Sequence, residues 1–150
     1  LNGEVKSVFA YSKKTLAKIK SEDTVIAILK LKNGSLGCIE ASTAIRPENL
    51  EGSISVLGQE VSVEIGGFAV NEVKVWKFSS KRKIDSNIKK ISNENPPNVY
   101  GFGHKKFYEN VYKFLINPRV KSVNGEEGIK SVILLEAINK SIKLKKEVKL

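Results

Sequence analysis

Residues 23–42 read DTVIAILKLKNGSLGCIEAS, an apolar β-branched run, then Asn33-Gly34, then a second apolar run. Asn-Gly between two such runs is the strongest short-range hairpin signal, because the type I′ turn needs positive φ at both central residues. Asp23–Leu31 and Leu36–Ser42 are therefore predicted as antiparallel partners. A two-residue loop sets their register: Leu31 faces Leu36, Leu29 faces Cys38 and Ala27 faces Glu40, while Ile28 meets Ile39 and Ile26 meets Ala41 on the other face. Both faces carry apolar side chains, whereas a half-solvated antiparallel sheet shows one polar side. Each face needs a cover. Helices of this chain supply one, and a partner surface supplies the other.

The pattern continues outward at strand period. Glu4–Ala10 is β-rich, with Val5 and Phe9 among its apolar positions. Leu50–Leu57 alternates, Gly58-Gln59-Glu60 turns into Val61–Ile65, and Val73–Phe78 alternates strictly around Trp76. No crossover helix fits between these runs, so an antiparallel meander is expected. Positions 79–99 break the pattern with Lys81-Arg82-Lys83 and Asn95-Pro96-Pro97, a long basic loop. Helical spacing begins with Phe107, Val111, Phe114 and Leu115 and stops at Asn117-Pro118. Asn124 with Glu127 forms a capping-box-like start for a second helix, striped by Ile129, Val132, Ile133, Leu134 and Ala137. Val148 and Leu150 suggest a short closing strand. A sheet followed by two helices is an α+β fold: an open, mainly antiparallel β-sheet with helices packed on one face.

The chain has 150 residues, the size of a single domain, and 41% of them are hydrophobic. Nothing approaches the ~20 apolar residues of a membrane span, and no basic-then-apolar leader opens the chain. The single cysteine, Cys38, excludes an internal disulfide framework and suits a reducing, cytoplasmic setting. The absence of methionine makes the sequence read as a piece of a longer protein. The net charge of +10 comes from 26 basic residues, of which only Arg46, Arg82 and Arg119 are arginine. Lysines scattered over every element, often beside glutamate, describe a solvated surface better than a nucleic-acid interface or a membrane contact.

Few residues offer chemistry. His104 is the only histidine and Cys38 the only cysteine, so no metal cluster and no cued catalytic triad is expected. Gly101-Phe102-Gly103-His104-Lys105-Lys106 resembles a phosphate-binding glycine loop, but Lys106 stands where the third glycine belongs and no strand precedes it. Two readings of His104 stand: a residue capping the helix that starts there, or a neutral imidazole bonding a sugar hydroxyl or carboxylate at a helix N-terminus. Tyr100 joins it or packs on the sheet. Arg46, on the loop leaving Leu36–Ser42, is placed either to clamp an anionic substrate bidentately or to pair with Glu48 or Glu51. Trp76 reads as packing or interface.

The order of the pieces NGEVKSVFAYSK (2–13), SEDTVIAILKLKNGSLGCIEASTAIRP (21–47), GSISVLGQEVSVEIGG (52–67), YGFGHKKFYENVYKFL (100–115) and NGEEGIKSVILLEAINKSIK (124–143) resembles the C-terminal domain of the Gfo/Idh/MocA oxidoreductases. Tyr-Gly-x-Gly-His looks most like members acting on nucleotide-linked N-acetylated aminouronic acids. The resemblance covers nearly the whole chain. Gln59-Glu60 departs from the glycine often found at that turn, and the basic 79–99 loop is longer than the pattern expects.

The resemblance implies a parent enzyme whose N-terminal Rossmann domain, absent from this chain, binds NAD or NADP. This single domain of residues 1–150 then forms one wall of the sugar site and holds subunits together as a dimer or tetramer through its sheet face. The family's catalytic lysine, and its histidine or aspartate, precede this segment, so no catalytic residue is carried over and the piece alone is expected to be inactive and to bind no cofactor. His104 falls at the family's Gly-His position; with Arg46 and Tyr100 it is the expected substrate contact. The alternatives are a non-catalytic sugar-binding or oligomerisation module and, behind it, a basic nucleic-acid-binding domain with steep salt dependence.

Overall fold

The computed structural model describes residues 3–16, 18–80, 88, 95–98 and 100–150. It resolves two compact units, one of residues 1–47 with 123–150 and the other of residues 48–122.

The first unit holds strands β1 (Val5–Lys13), β2 (Thr24–Leu31), β3 (Leu36–Ser42) and β7 (Val148–Lys149), with helix α2 (Gly125–Leu144). The strands form one antiparallel sheet in the order β3-β2-β1-β7. Val8, Ala10, Ala27 and Leu29 on one face pack with Ala137 and Ile138 of α2 and with Val148, and Val5, Val25, Ile39, Leu134 and Ile142 surround them. The small Ala10 and Ala27, at most 2% exposed, let the helix approach the sheet closely. Asn124 caps α2 as the sequence indicates, its Oδ1 accepting from Glu127 N at 3.0 Å. The expected stripe of α2 is shifted, however. Ile129, Val132 and Ile133 are exposed, and the core begins only at Leu134 and continues through Ala137, Ile138, Ser141 and Ile142.

The hairpin register differs from the sequence expectation by one residue. Ile28 faces Cys38, Ala27 faces Ile39 and Ile26 faces Glu40. The loop closes through Leu31 N to Ser35 O at 2.9 Å and Gly34 N to Leu31 O at 3.0 Å, which makes three loop residues rather than two. Of the Asn-Gly pair only Gly34 takes positive φ (88°), so Asn33 completes an ordinary turn and Gly34 forms the bulge behind it. The slip moves Leu36 and Cys38 beside Ile28 and Ile26 and sends Ile39 into the core. Two apolar faces remain, and α2 covers one of them. A Cβ at Gly34 would meet no atom within 4 Å, so the cost of Gly34→Ala lies in the backbone alone. It is expected to lose about 1 kcal/mol in urea unfolding. Gly37→Ala, where Leu29 lies at an ordinary 3.6 Å, should stay within about 0.5 kcal/mol.

The second unit holds β4 (Ile54–Leu57), β5 (Val61–Gly66) and β6 (Glu72–Phe78), paired antiparallel in that order, and helix α1 (Gly103–Ile116). The α+β class and the antiparallel pairing therefore hold, with the expected single meander divided into two sheets. Leu50–Ser53 does not extend β4, because Glu51 turns its carboxylate to Gly67 N (2.9 Å) and Lys74 Nζ (2.6 Å). That bond to Lys74, then the one from Gly67, holds the Glu51 carboxyl below its usual range. Val56, Val63, Ile65, Trp76 and Phe78 are half-buried, with the Trp76 and Phe78 rings 5.1 Å apart, a packing role for Trp76. α1 buries none of its residues, and Leu115 of its expected stripe is 72% exposed. Within residues 79–99 the basic Lys81-Arg82-Lys83 lies outside the described residues. Among those described, no helix is long and apolar enough to cross a membrane.

Candidate functional site

Arg46 leaves β3 on a short loop at the end of the first sheet. Its Nη1 donates to Ile45 O (2.7 Å) and Thr43 O (3.2 Å), folding the guanidinium over its own loop. Among the described residues it pairs with neither Glu48 nor Glu51; Glu51 is taken by Lys74. The loop is anchored in turn. Thr43 N donates to Asp23 O at 2.8 Å, and Ala44 N donates to Ser42 Oγ at 3.0 Å. Ser42 Oγ lies 2.9 Å from Thr24 Oγ1, across the β2–β3 ladder where Thr24 faces Ser42.

Asp23 is the centre of this cluster. It is 4% exposed, and its carboxylate accepts from Thr15 N and Thr15 Oγ1 (2.9 Å each), Leu16 N (2.7 Å) and Thr24 Oγ1 (3.2 Å). Donors converging on one buried carboxylate fix the chain where it leaves β1 and where it enters β2. Nothing in the sequence singles Asp23 out. A lone acid at a strand start has no spacing signature, and the value of the residue depends on Thr15 and Ser42, which only the folded hairpin brings near it.

In the second unit, Asn98 shapes the approach to α1: Gly101 N donates to Asn98 O (3.2 Å) and Tyr100 N to Asn98 Oδ1 (3.1 Å). Gly101 takes φ 66°, which turns the chain into the helix. The rings of Tyr100 and His104 stand edge to face with centroids 6.2 Å apart, so these two expected site residues are neighbours. Both are exposed. His104 is not the cap: the N-cap position is Phe102, no side chain among the described residues caps the helix, and no acidic residue lies in its first turn. The start of α1 therefore presents backbone N–H groups beside His104, Lys105 and Lys106, an arrangement that favours negative charge.

A dinucleotide cradle does not form from these residues. All pairings in both sheets are antiparallel, so no parallel βαβ unit exists among the described residues, and Gly101-Phe102-Gly103 follows a turn rather than a strand. Nor is there, among them, a group of three His, Cys, Asp or Glu that could hold a metal ion.

The C-terminal alpha/beta domain of the Gfo/Idh/MocA oxidoreductase family matches residues 1–150. No curated protein matches the chain. Among solved structures, the WlbA dehydrogenase from Bordetella pertussis in complex with NADH and UDP-GlcNAcA is 38% identical with a TM-score of 0.91, over 100% of this chain and 43% of that one. The WlbA enzyme from Chromobacterium violaceum, also with NADH and UDP-GlcNAcA, is 39% identical with a TM-score of 0.87, over 100% and 41%. A levoglucosan dehydrogenase in complex with NADH and L-sorbose is 18% identical with a TM-score of 0.73 over 97% and 44%, a likeness of fold alone. The chain thus spans less than half the length of each.

Proposed function

The chain belongs to the Gfo/Idh/MocA oxidoreductase family, and from that premise we propose that it is the substrate-side domain of an NAD-dependent dehydrogenase acting on a nucleotide-linked N-acetylated aminouronic acid such as UDP-GlcNAcA. The observation that carries this reading is the identity of 38% and 39% to two dehydrogenases in complex with that ligand, across the whole chain, against 18% for the levoglucosan enzyme of the same fold. In this reading the nicotinamide cofactor is bound by a Rossmann domain outside these residues, and hydride passes between the sugar and that cofactor. This chain shapes the sugar pocket and excludes water from it. Arg46, Tyr100 and His104 contact the substrate, whose diphosphate and carboxylate suit an arginine fork and the bare N-terminus of α1. By itself the chain is inactive.

The reading includes a cytoplasmic location, supported by a single cysteine that suits a reducing compartment. It also includes self-association through the uncovered face of the first sheet, supported by exposed Tyr11, Ile26, Ile28 and Leu36 on that face.

The test is spectrophotometric. The full-length enzyme with NAD and UDP-GlcNAcA is expected to generate NADH, at a rate at least about a hundredfold above that with the unlinked sugar acid, because nucleotide binding energy is spent on positioning. Equal rates with the unlinked sugar, or none with UDP-GlcNAcA, would overturn the assignment.

A further inference from the structure

The polar cluster at the end of the first sheet forms a hydrogen-bond chain with a forced direction. Ala44 N–H can only donate, so Ser42 Oγ accepts from it at 3.0 Å. The ionised Asp23 carboxylate can only accept, so Thr24 Oγ1 donates to it at 3.2 Å. Each hydroxyl has one hydrogen. Thr24 spends its own on Asp23, so across the 2.9 Å contact between the two hydroxyls Ser42 must be the donor. The chain therefore runs Ala44 to Ser42 to Thr24 to Asp23, each donor polarised by the next and ending on a buried negative charge. A second tie runs in parallel through the backbone, from Thr43 N to Asp23 O at 2.8 Å.

Both ties hold the loop on which Arg46 stands, and the carbonyls that orient the guanidinium, Thr43 O and Ile45 O, belong to that loop. We propose that Asp23 is a positioning residue: through Thr24 and Ser42 it fixes the loop 43–46 so that Arg46 presents its fork to an oxyanion of the substrate. The inference rests on the proposed role of Arg46 as a substrate contact and deepens it. The oxyanion is the uronate carboxylate or the diphosphate, which share the geometry that an arginine fork recognises.

The test uses the full-length enzyme with NAD and UDP-GlcNAcA. Arg46→Gln is expected to raise KM about tenfold or more, the loss of a charge-assisted bond, with kcat little changed. Ser42→Ala, which cuts the chain in its middle, should raise KM about three- to tenfold, and Ser42→Thr, which keeps the hydroxyl, should restore it. The deciding readout is the double variant. Once Arg46 is glutamine, removing the Ser42 hydroxyl should add nothing, whereas a merely structural role would multiply the two effects. Multiplied effects, or a fall in kcat at constant KM in Ser42→Ala, would overturn the inference while leaving the substrate assignment intact. So would an active Arg46→Gln enzyme with unaltered KM. UDP as a competitive inhibitor separates the oxyanions: its inhibition weakens in Arg46→Gln if the diphosphate is clamped and is unchanged if the carboxylate is. An enzyme that ignores UDP-GlcNAcA overturns the functional reading and the role of Arg46 with it. Amide exchange at Ala44 still decides the chain of bonds: Asp23→Asn turns an amide NH2 toward N–H or O–H donors, and unchanged exchange there would refute it.

Discussion

Ile28→Glu is expected to scatter light as a monomer at concentrations where the unaltered chain is a dimer or larger, with the dissociation constant raised by at least about a hundredfold. The reason lies in the sheet register. Ile28 faces Cys38 on one side and Phe9 on the other, and Ile26 faces Tyr11, so these side chains share the face that α2 does not cover. Ile28 is 56% exposed and Tyr11 67%, with the Phe9 and Tyr11 rings edge to face at 5.0 Å. The face carries two aromatics and branched aliphatics with Lys30 and Glu40 at the margin, a composition that would suit the proposed self-association. In a twofold assembly the same patch meets itself, so one substitution buries two unpaired carboxylates, each at a cost of several kcal/mol. Folding should be nearly indifferent, within about 0.5 kcal/mol, because Ile28 is exposed in the single chain. An unaltered chain that stays monomeric at every concentration would remove self-association from this face. An assembly that survives Ile28→Glu would move the interface elsewhere.

That two-faced sheet was legible in the sequence even though its register was not. The parity of Ile26 and Ile28 against Ala27 and Leu29 is fixed by strand period alone and survives any slip of the partner strand. The partner's parity is not fixed in this way. It depends on whether Asn33 adopts positive φ, and since Asn tolerates either sign, two- and three-residue loops fit the same letters. Local chemistry was likewise readable at Asn124, whose capping bond to Glu127 spans three residues. The division into two sheets was not, because Gly52 and Glu51 look like strand residues until Glu51 finds Lys74 and Gly67. For the site, Tyr100 and His104 are four residues apart across a helix start, so their proximity follows from spacing. Asp23, Ser42 and Thr15 converge only after the hairpin closes, and no pattern along the chain encodes that.

The second large effect lies in the core. Ser141→Ala is expected to cost about 1–3 kcal/mol and to lower Tm by roughly 2–12 °C, more than a serine-to-alanine change on an exposed helix face does. Ser141 is 0% exposed. Its Oγ accepts from Ala10 N at 3.0 Å and donates to Lys146 O at 2.7 Å. β7 pairs with β1 only through Ser7 and Val8, whose partners are Lys149 and Val148. Continuing that register would set Ala10 opposite Lys146, but Lys145, at φ 51°, turns the chain out of α2 there and holds Lys146 away from the ladder. The Ser141 hydroxyl is therefore spliced into the sheet, completing a backbone bond that the geometry of the helix exit prevents. Without it the buried N–H of Ala10 loses its partner, a loss that costs about 1–3 kcal/mol, while the carbonyl of the exposed Lys146 can turn to water. Ser131→Ala, on an exposed turn of the same helix, should shift stability by less than about 0.5 kcal/mol, since alanine there gains helix propensity and loses no buried bond. If the two variants melt together, the hydroxyl is not closing the sheet, and the short β7 is held by its ladder bonds to β1 and the packing of Val148.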